Sequence, residues 1–261
     1  MKKSEMQESV IIFGACGRIG KVLVEAFSKK ENTWVVAVDI SHERLADIEL
    51  VRGEKHVLDI SSAESITQLF EYLMNEGRVP KYAVNTSYPI GRNYGRDFFE
   101  VEYDDFCDNI SKHMGAYFVV MQQCARFATT HDVEFSLVNL SSVYGVIAPR
   151  LDVYNGTDMT MPIEYAAIKS GIQHMQQFVT SYTKGTQFRV NSISPGGIFD
   201  NQPSEFLQHY REYSRTKGML DAEDLVGMVL CLLSPASRFI CGQNIVIDDG
   251  FSIGGRHRKP T

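Results

Sequence analysis

A short apolar run that stops at a glycine, followed by a helical pattern and a second β-branched run, limits how this chain folds more than any other feature. Ser9-Val10-Ile11-Ile12-Phe13 ends at Gly14, Ile19, Val22, Leu23, Ala26 and Phe27 recur at helical spacing, and residues 33–39 (TWVVAVD) read as strand. The alternation continues. Strands are predicted at 55–58 and 81–85 around an amphipathic segment carrying Ile66, Leu69, Phe70 and Leu73. A long helix is expected from about 103 to 130, a strand at 134–140 and a helix from Tyr165 to about Tyr182. A strand at 187–193, a helix at 225–233 and a last strand at 244–248 complete the series. Strands that alternate with helices of this length build βαβ units, and hence a parallel sheet covered on both faces. No repeat, low-complexity segment or linker divides the chain, so residues 1–261 read as a single α/β domain.

The junction after the first strand, Gly14-Ala15-Cys16-Gly17-Arg18-Ile19-Gly20, suits a dinucleotide. Glycines there let the backbone turn sharply and bring amides to a pyrophosphate at the helix N-terminus. The next strand ends in Asp39, an acid about 20 residues on that can accept hydrogen bonds from an adenosine ribose and repel a 2′-phosphate. This favours NAD(H) over NADP(H) and makes the fold a Rossmann-type doubly wound sheet. Two alternatives stay open: Asp39 caps a helix starting near Ser41, and Arg18 reaches a cofactor phosphate.

Charge and cysteine usage narrow the class. A net charge of −6 and a pI near 5.7 speak against a nucleic-acid or anionic-membrane binder. The run Arg256-His257-Arg258-Lys259 reads as a solvated end. The five cysteines are scattered without metal or redox spacing, and the seven histidines show no helical ligand spacing, so no metal site is predicted. The N-terminus lacks the apolar run of a signal peptide, and no apolar stretch approaches the ~18 residues of a membrane span. A cytoplasmic protein acting on a small molecule is expected.

Tyr165 and Lys169 stand one helical turn apart, a spacing shared by solvated surface pairs and by a proton donor with the cation that tunes it. An ordinary tyrosine has a pKa of ~10, and a nearby ammonium lowers it. The pair, the glycine turn and the strand end Asn139-Leu140-Ser141-Ser142 follow the order of the short-chain dehydrogenase/reductase family, which the chain resembles from about residue 9 to 254. Asp59-Ile60, Asn85 at the end of the fourth strand, Arg189 to Gly196, Gly242-Gln243 and Asp248-Asp249-Gly250 also match. The family's usual Asn-Asn-Ala-Gly appears here as Asn85-Thr86-Ser87-Tyr88. Within the family, Ser87-Tyr88-Pro89, Tyr144-Gly145-Val146, Asn155-Gly156-Thr157 and Ser194 through Pro203 resemble bacterial flagellin-modification oxidoreductases of nonulosonic-acid sugar pathways.

The resemblance implies an enzyme that interconverts an alcohol and a carbonyl by hydride transfer. Tyr165 would be the proton donor or acceptor, Lys169 its tuning cation and Ser142 a hydrogen-bond donor to the reacting oxygen. It implies cofactor contacts at Gly14, Gly17, Arg18, Ile19, Gly20, Asp39, Asp59, Ile60, Asn85, Tyr165, Lys169, Pro195, Gly196 and Ile198. His113 falls where the family has an asparagine whose backbone carbonyl serves a proton relay; a relay or substrate role and a plain core role both stay open. The gap of 23 residues from Ser142 to Tyr165 is longer than usual in the family. It implies a polar insertion at about 146–163 beside the substrate mouth, or else an oligomer contact. Arg92 or Arg96 could pair with an anionic substrate group, and residues 199–220 sit where relatives carry a lid. A homo-oligomer, tetramer or dimer, built through the long helices is also implied. A sugar or sugar-nucleotide substrate is favoured, with a 3-oxoacyl-thioester reductase and a non-catalytic nucleotide-binding scaffold as alternatives.

Overall fold

The computed structural model describes residues 7–255, so the run Arg256-His257-Arg258-Lys259 and the first six residues lie outside the described residues. Among the described residues seven strands form one parallel sheet: β1 (Gln7–Phe13), β2 (Trp34–Asp39), β3 (Gly53–Val57), β4 (Arg78–Asn85), β5 (Phe135–Leu140), β6 (Phe188–Pro195) and β7 (Asn244–Ile247). Their order is β3-β2-β1-β4-β5-β6-β7, so the chain builds outward from β1, returns, and builds the other way from β4. The carboxyl ends of β1 and β4 therefore flank the point where winding reverses, the crevice in which such folds bind ligands.

The strands read as continuous apolar runs because both faces are covered. In β1, Val10 and Ile12 face one layer while Ile11 and Phe13 face the other, all four fully buried. The first layer contains α1 (Arg18–Ser28), through Leu23, Val24 and Phe27, α2 (His42–Ala46), through Leu45, and α8 (Val226–Leu233), through Val229 and Leu232. The second contains α3 (Ala63–Asn75), α5 (Gly115–His131) and α6 (Ile163–Tyr182). Burying one such Leu, Ile or Phe is worth roughly 1.5–3 kcal/mol, so each layer has ample means to hold its helices.

The long helix expected at about 103–130 is not uniform. It comprises α4 (Tyr103–Asn109), a π-helical turn at Ile110–Met114 and α5. The remaining helix, α7 (Ser204–Arg211), lies inside the segment read as a lid. A third apolar cluster joins Val153 and partly buried Tyr154, Met159 and Met161 to Phe206 and Tyr210 of α7 and to Phe251 near the C-terminus. No helix among the described residues is long and apolar enough to cross a membrane.

Candidate active site

The glycine turn is shaped by close contacts. The amides of Gly14 and Ala15 both donate to the Val38 carbonyl (2.9 and 3.0 Å), and Gly17 N–H returns to the Gly14 carbonyl at 3.0 Å. Gly14 adopts φ +78°, and a Cβ there would lie 2.7 Å from the Ser87 nitrogen. At Gly20 a Cβ would collide with the Gly14 carbonyl oxygen, so α1 can pack this tightly on the turn only with glycine. Gly17 caps α1, whose first turn carries no acidic residue, leaving a helix N-terminus free to meet an anion.

Asp39 is held at the mouth of this turn. Its Oδ2 accepts from Cys16 N–H (2.9 Å) and its Oδ1 from Ser41 N–H (3.1 Å). Ser41, whose hydroxyl accepts from Arg44 N–H, is the N-cap of α2, so Asp39 supports that helix start from two residues before the cap. A cavity of about 240 Å³ beside it is lined by Gly14, Gly17, Asp39, Leu58, Asp59 and Ile60, and by Arg44. It shares Gly17 and Thr86 to Tyr88 with a larger cleft of about 520 Å³ lined by Arg18, Ile19, Ser142, Tyr165, Lys169, Pro195, Gly196 and Ile198. The structure thus brings most of the sequence-predicted residues onto one continuous cleft. Gly20, Asn85 and His113 are not among its lining residues. Asn85 is fully buried at the end of β4, where its Oδ1 accepts from Ser87 N–H at 3.2 Å.

Ser142, Tyr165 and Lys169 converge on one wall. Ser142 leaves the end of β5 and caps a short 3-10 turn, its Oγ accepting from Tyr144 N–H at 3.2 Å. Tyr165 lies in the first turn of α6 and Lys169 one turn later. Gln173 fixes this helix to the sheet, donating to the hydroxyls of Ser141 (2.9 Å) and Ser194 (3.1 Å). Lys169 is 3% exposed and donates to the Leu140 carbonyl at 3.0 Å. Burial drives its pKa down to about 7.

Tyr165 departs from the sequence expectation. Burial pushes its phenol above the ordinary value, and the pull downward comes from Ser142 rather than from Lys169. The reason is geometric and electrostatic together. The ammonium is turned to the Leu140 carbonyl, 5.6 Å from the Tyr165 ring centre, and is itself close to losing its proton at neutral pH.

Residues 146–163 also behave differently from the polar mouth expected. Arg150 points to the C-terminal segment, donating to the carbonyls of Phe251 (3.1 Å) and Gly254 (2.7 Å), and Asp152 accepts from the Tyr213 hydroxyl. The insertion residues lining the cleft are Tyr154, Met159, Thr160, Met161 and Pro162, a largely apolar set. Arg150 and Asp152 serve instead to satisfy carbonyls and a hydroxyl of neighbouring segments. Arg92 and Arg96 do not line the cleft either. Arg96 pairs with Asp105 at 3.4 Å, and the backbone around Arg92 is tied to Asp108 and Asn109 of α4.

Residues 199–220 cover one side of the cleft. Leu220 pairs with the chain at Gly197 and Phe199 (2.8 Å each), and the Tyr210 hydroxyl accepts from Gly197 N–H at 2.7 Å. Burial pushes the Asp249 carboxyl up, but the amides of Thr216, Gly218 and Lys217 and the Thr216 hydroxyl outweigh it and hold its pKa at about 2. Asp200 pairs across the cleft with Arg18.

Sequence reasoning missed two residues of this site. Arg44 donates to the Cys16 carbonyl and lines the smaller cavity, so it, rather than Arg18, is the cation beside Asp39. Tyr117 is fully buried with its hydroxyl within 3.1–3.2 Å of the carbonyls of Asn85, Ser87 and Leu140, tying the ends of β4 and β5 together. Tyr117 carried a weak signal, since it follows His113 by one helical turn; Arg44 carried none. Among the described residues no cluster of three His, Cys, Asp or Glu could hold a metal ion.

Comparison with known proteins extends the geometry. The profile of a family described as Enoyl-(Acyl carrier protein) reductase matches residues 14–252. Post-translational flagellin modification protein A of Campylobacter coli is 35% identical over 257 residues, covering 95% of this chain and all of that protein. A 3-oxoacyl-[acyl-carrier-protein] reductase of Thermotoga maritima is 26% identical over 254 residues, 93% of this chain and 97% of that one. Among solved structures, an NAD+-bound short chain dehydrogenase of Leptospira borgpetersenii superposes with a TM-score of 0.84 at 30% identity, over 96% of this chain and 95% of that one. A 4-hydroxyisoleucine dehydrogenase complexed with NADH gives 0.79 at 25% identity, over 95% and 100%. With a reversing parallel sheet, a glycine turn facing a Ser-Tyr-Lys wall and full-length relatives of this kind, the chain belongs to the short-chain dehydrogenase/reductase family of NAD(P)-dependent oxidoreductases.

Proposed function

We propose that the protein is an NAD(H)-dependent oxidoreductase that interconverts an alcohol and a carbonyl on a sugar or sugar-nucleotide-like substrate, in the making of a surface or flagellin glycan. The observation that carries this reading is the placement of Ser142, Tyr165 and Lys169 on one wall of a cleft whose other wall is the glycine turn. The cleft fits a dinucleotide: side chains at Gly14 and Gly20 would fill the turn, and the N-terminus of α1 carries no acid that would repel a pyrophosphate. Gly14, Gly17, Arg18 and Ile19 would hold the pyrophosphate side, Asp39 the adenosine ribose, Asp59 and Ile60 the adenine, and Pro195, Gly196 and Ile198 the nicotinamide side. Asn85 and Gly20 would act by supporting the turn from behind. When bound, the dinucleotide supplies or accepts the hydride.

The remaining work falls to the chain. Tyr165 gives a proton to the carbonyl oxygen during reduction and takes it back from the alcohol during oxidation. Ser142 donates to the same oxygen and steadies the charge that develops there. In its protonated form Lys169 supplies positive charge that favours the phenolate once it forms. Residues 199–220 act as a lid that excludes water.

The flagellin-modification name of the Campylobacter coli relative supports a glycan context. The tyrosine faces of Tyr88, Tyr144 and Tyr154 suit a ring with hydroxyls at its rim. One observation favours the rival reading of a 3-oxoacyl-thioester reductase: Met159, Met161 and Met219 make part of the lining apolar. The test is a fluorescence titration with NADH and NADPH, followed by absorbance assays on sugar-nucleotide alcohols and on acetoacetyl-coenzyme A. NADH is expected to bind about tenfold tighter or more, a difference of ~1.4 kcal/mol, and Asp39→Ala to narrow the gap. Preference for NADPH would transfer the deciding role to Arg44, and faster turnover of the thioester would overturn the sugar reading. Failure of both cofactors to bind would refute the dinucleotide reading, and cofactor binding with no turnover of either substrate class would favour the scaffold.

The proposal extends to a homo-oligomer, dimer or tetramer, in the cytoplasm. Its five cysteines are free thiols, as suits a reducing compartment. The outer faces of α5 and α6 expose Phe118, Phe178 (69%) and Tyr182 (81%) around a groove of about 840 Å³ that also holds Met114, Met121 and Met175. Phe178→Glu is expected to reduce the mass seen by light scattering to that of one chain, 29.4 kDa. An unsubstituted protein already running at that mass would refute the assembly.

A further inference from the structure

The π-helical turn at Ile110–Met114 sets His113 facing inward, 1% exposed. Its Nε2 lies 3.3 Å from the Lys169 Nζ, and the only other hydrogen bond of that Nζ among the described residues goes to the Leu140 carbonyl. The imidazole is held on two sides. Tyr88 meets it edge-on at 5.0 Å and Tyr117 packs at 5.4 Å. The titratable groups facing Lys169 are His113 from the π-turn, Tyr117 from α5, Tyr88 from the loop after β4 and Tyr165 from its own helix. The three tyrosine rings stand 5.2–5.6 Å from the ammonium, within the range of a cation–π contact. Among the described residues no carboxylate pairs with Lys169, so the imidazole is its one side-chain acceptor.

We propose that His113 is a positioning residue: its imidazole accepts a hydrogen bond at Nε2 from the Lys169 ammonium and keeps that cation in the tyrosine cage beneath Tyr165. The inference rests on the reading of Tyr165 and Lys169 as the working pair. It assigns the role to the side chain, not to the backbone carbonyl that the family resemblance points to. An acceptor must stay neutral to do this, and burial together with the Lys169 charge drives the His113 pKa down to about 2. This role requires the ring proton to sit on Nδ1, a buried atom with no hydrogen-bond partner among the described residues. A hydrogen bond accepted from the charged form stabilises it, so His113 opposes the burial that pulls Lys169 toward neutrality. Removing the acceptor must therefore lower the Lys169 pKa further, and a different neutral acceptor must restore it.

The test follows the side-chain NMR signals of the protein labelled with 13C,15N-lysine across pH, with the Lys169 signal identified by its loss in Lys169→Met. In the unsubstituted protein Lys169 is expected to titrate near 7. His113→Phe should lower that midpoint by about one unit or more, a tenfold loss of proton affinity, while His113→Gln keeps it within about half a unit. Where circular dichroism finds His113→Phe unfolded, His113→Ala gives the same readout. An unchanged midpoint in His113→Phe or His113→Ala, or a fall in His113→Gln as large as theirs, would overturn the proposal. Turnover surviving in Tyr165→Phe would instead refute the catalytic pair itself, and the lysine titration would still report whether His113 holds Lys169.

Discussion

Tyr165→Phe is expected to lose about 10²–10⁴-fold in turnover while keeping its affinity for NADH. The substitution removes one hydroxyl and leaves the ring, so the aromatic cage around Lys169, with the Tyr165 ring centre 5.6 Å from the Nζ, survives. Its pH behaviour follows from the direction of the shift in the unsubstituted protein. Burial holds the phenol above the ordinary value and Ser142 pulls it part of the way back, so the proton is on the oxygen throughout the neutral range. As an acid for carbonyl reduction, Tyr165 is therefore fully loaded at pH 7. As a base for alcohol oxidation it must first lose that proton, so oxidation should accelerate by up to about tenfold per pH unit above neutrality until the phenol titrates. Wild-type rates in Tyr165→Phe would remove Tyr165 from the chemistry.

The second large effect is expected on stability. Phe251 is fully buried, stacked on Tyr210 with ring centres 4.1 Å apart and planes 7° from parallel. Tyr144 and Tyr213 meet it edge-on at 6.1 and 5.9 Å, and the Arg150 guanidinium lies 5.4 Å from its ring centre. Phe251→Ala should cost about 3–5 kcal/mol, from lost apolar burial and the cavity left behind. At ~2–4 °C per kcal/mol for a chain of this size, the melting midpoint should fall by on the order of 6–20 °C. Because Tyr210 also accepts from Gly197 at the floor of the cleft, KM should rise as well. Phe99→Ala, at a ring 93% exposed, should leave the midpoint almost unchanged and serves as the control. A midpoint unmoved by Phe251→Ala would mean that the third cluster contributes nothing to stability.

Features encoded by neighbours in the chain were legible, and features made by distant segments were not. The parallel sheet follows from the period of the apolar runs, and the glycine turn from glycines at a strand-to-helix junction, because both are local properties. The π-turn at Ile110–Met114 leaves no such trace, since one wider turn hardly disturbs the apolar spacing of a 28-residue stretch from Tyr103 to Thr130. The approach of His113 to Lys169 joins residues 56 apart, and the reach of Arg150 to Gly254 joins residues 104 apart. The polar residues of the insertion were visible in the sequence, but the direction they point depends on a C-terminal segment that only the fold brings alongside. The tuning of Tyr165 was misread for a related reason: chain spacing gives the distance between two groups along a helix, while burial decides which of them stays charged.

The Phe251 cluster also bears on how such proteins exchange parts. Arg150 and Asp152 of residues 146–163, Tyr210 and Tyr213 of residues 199–220 and Phe251 of the C-terminal segment are mutually bonded or stacked. A graft of residues 146–163 alone into another scaffold would carry Arg150 and Asp152 without the partners they bond. These three stretches pack as one unit although about a hundred residues separate the first from the last, and a chimera that keeps these contacts intact must move all three together.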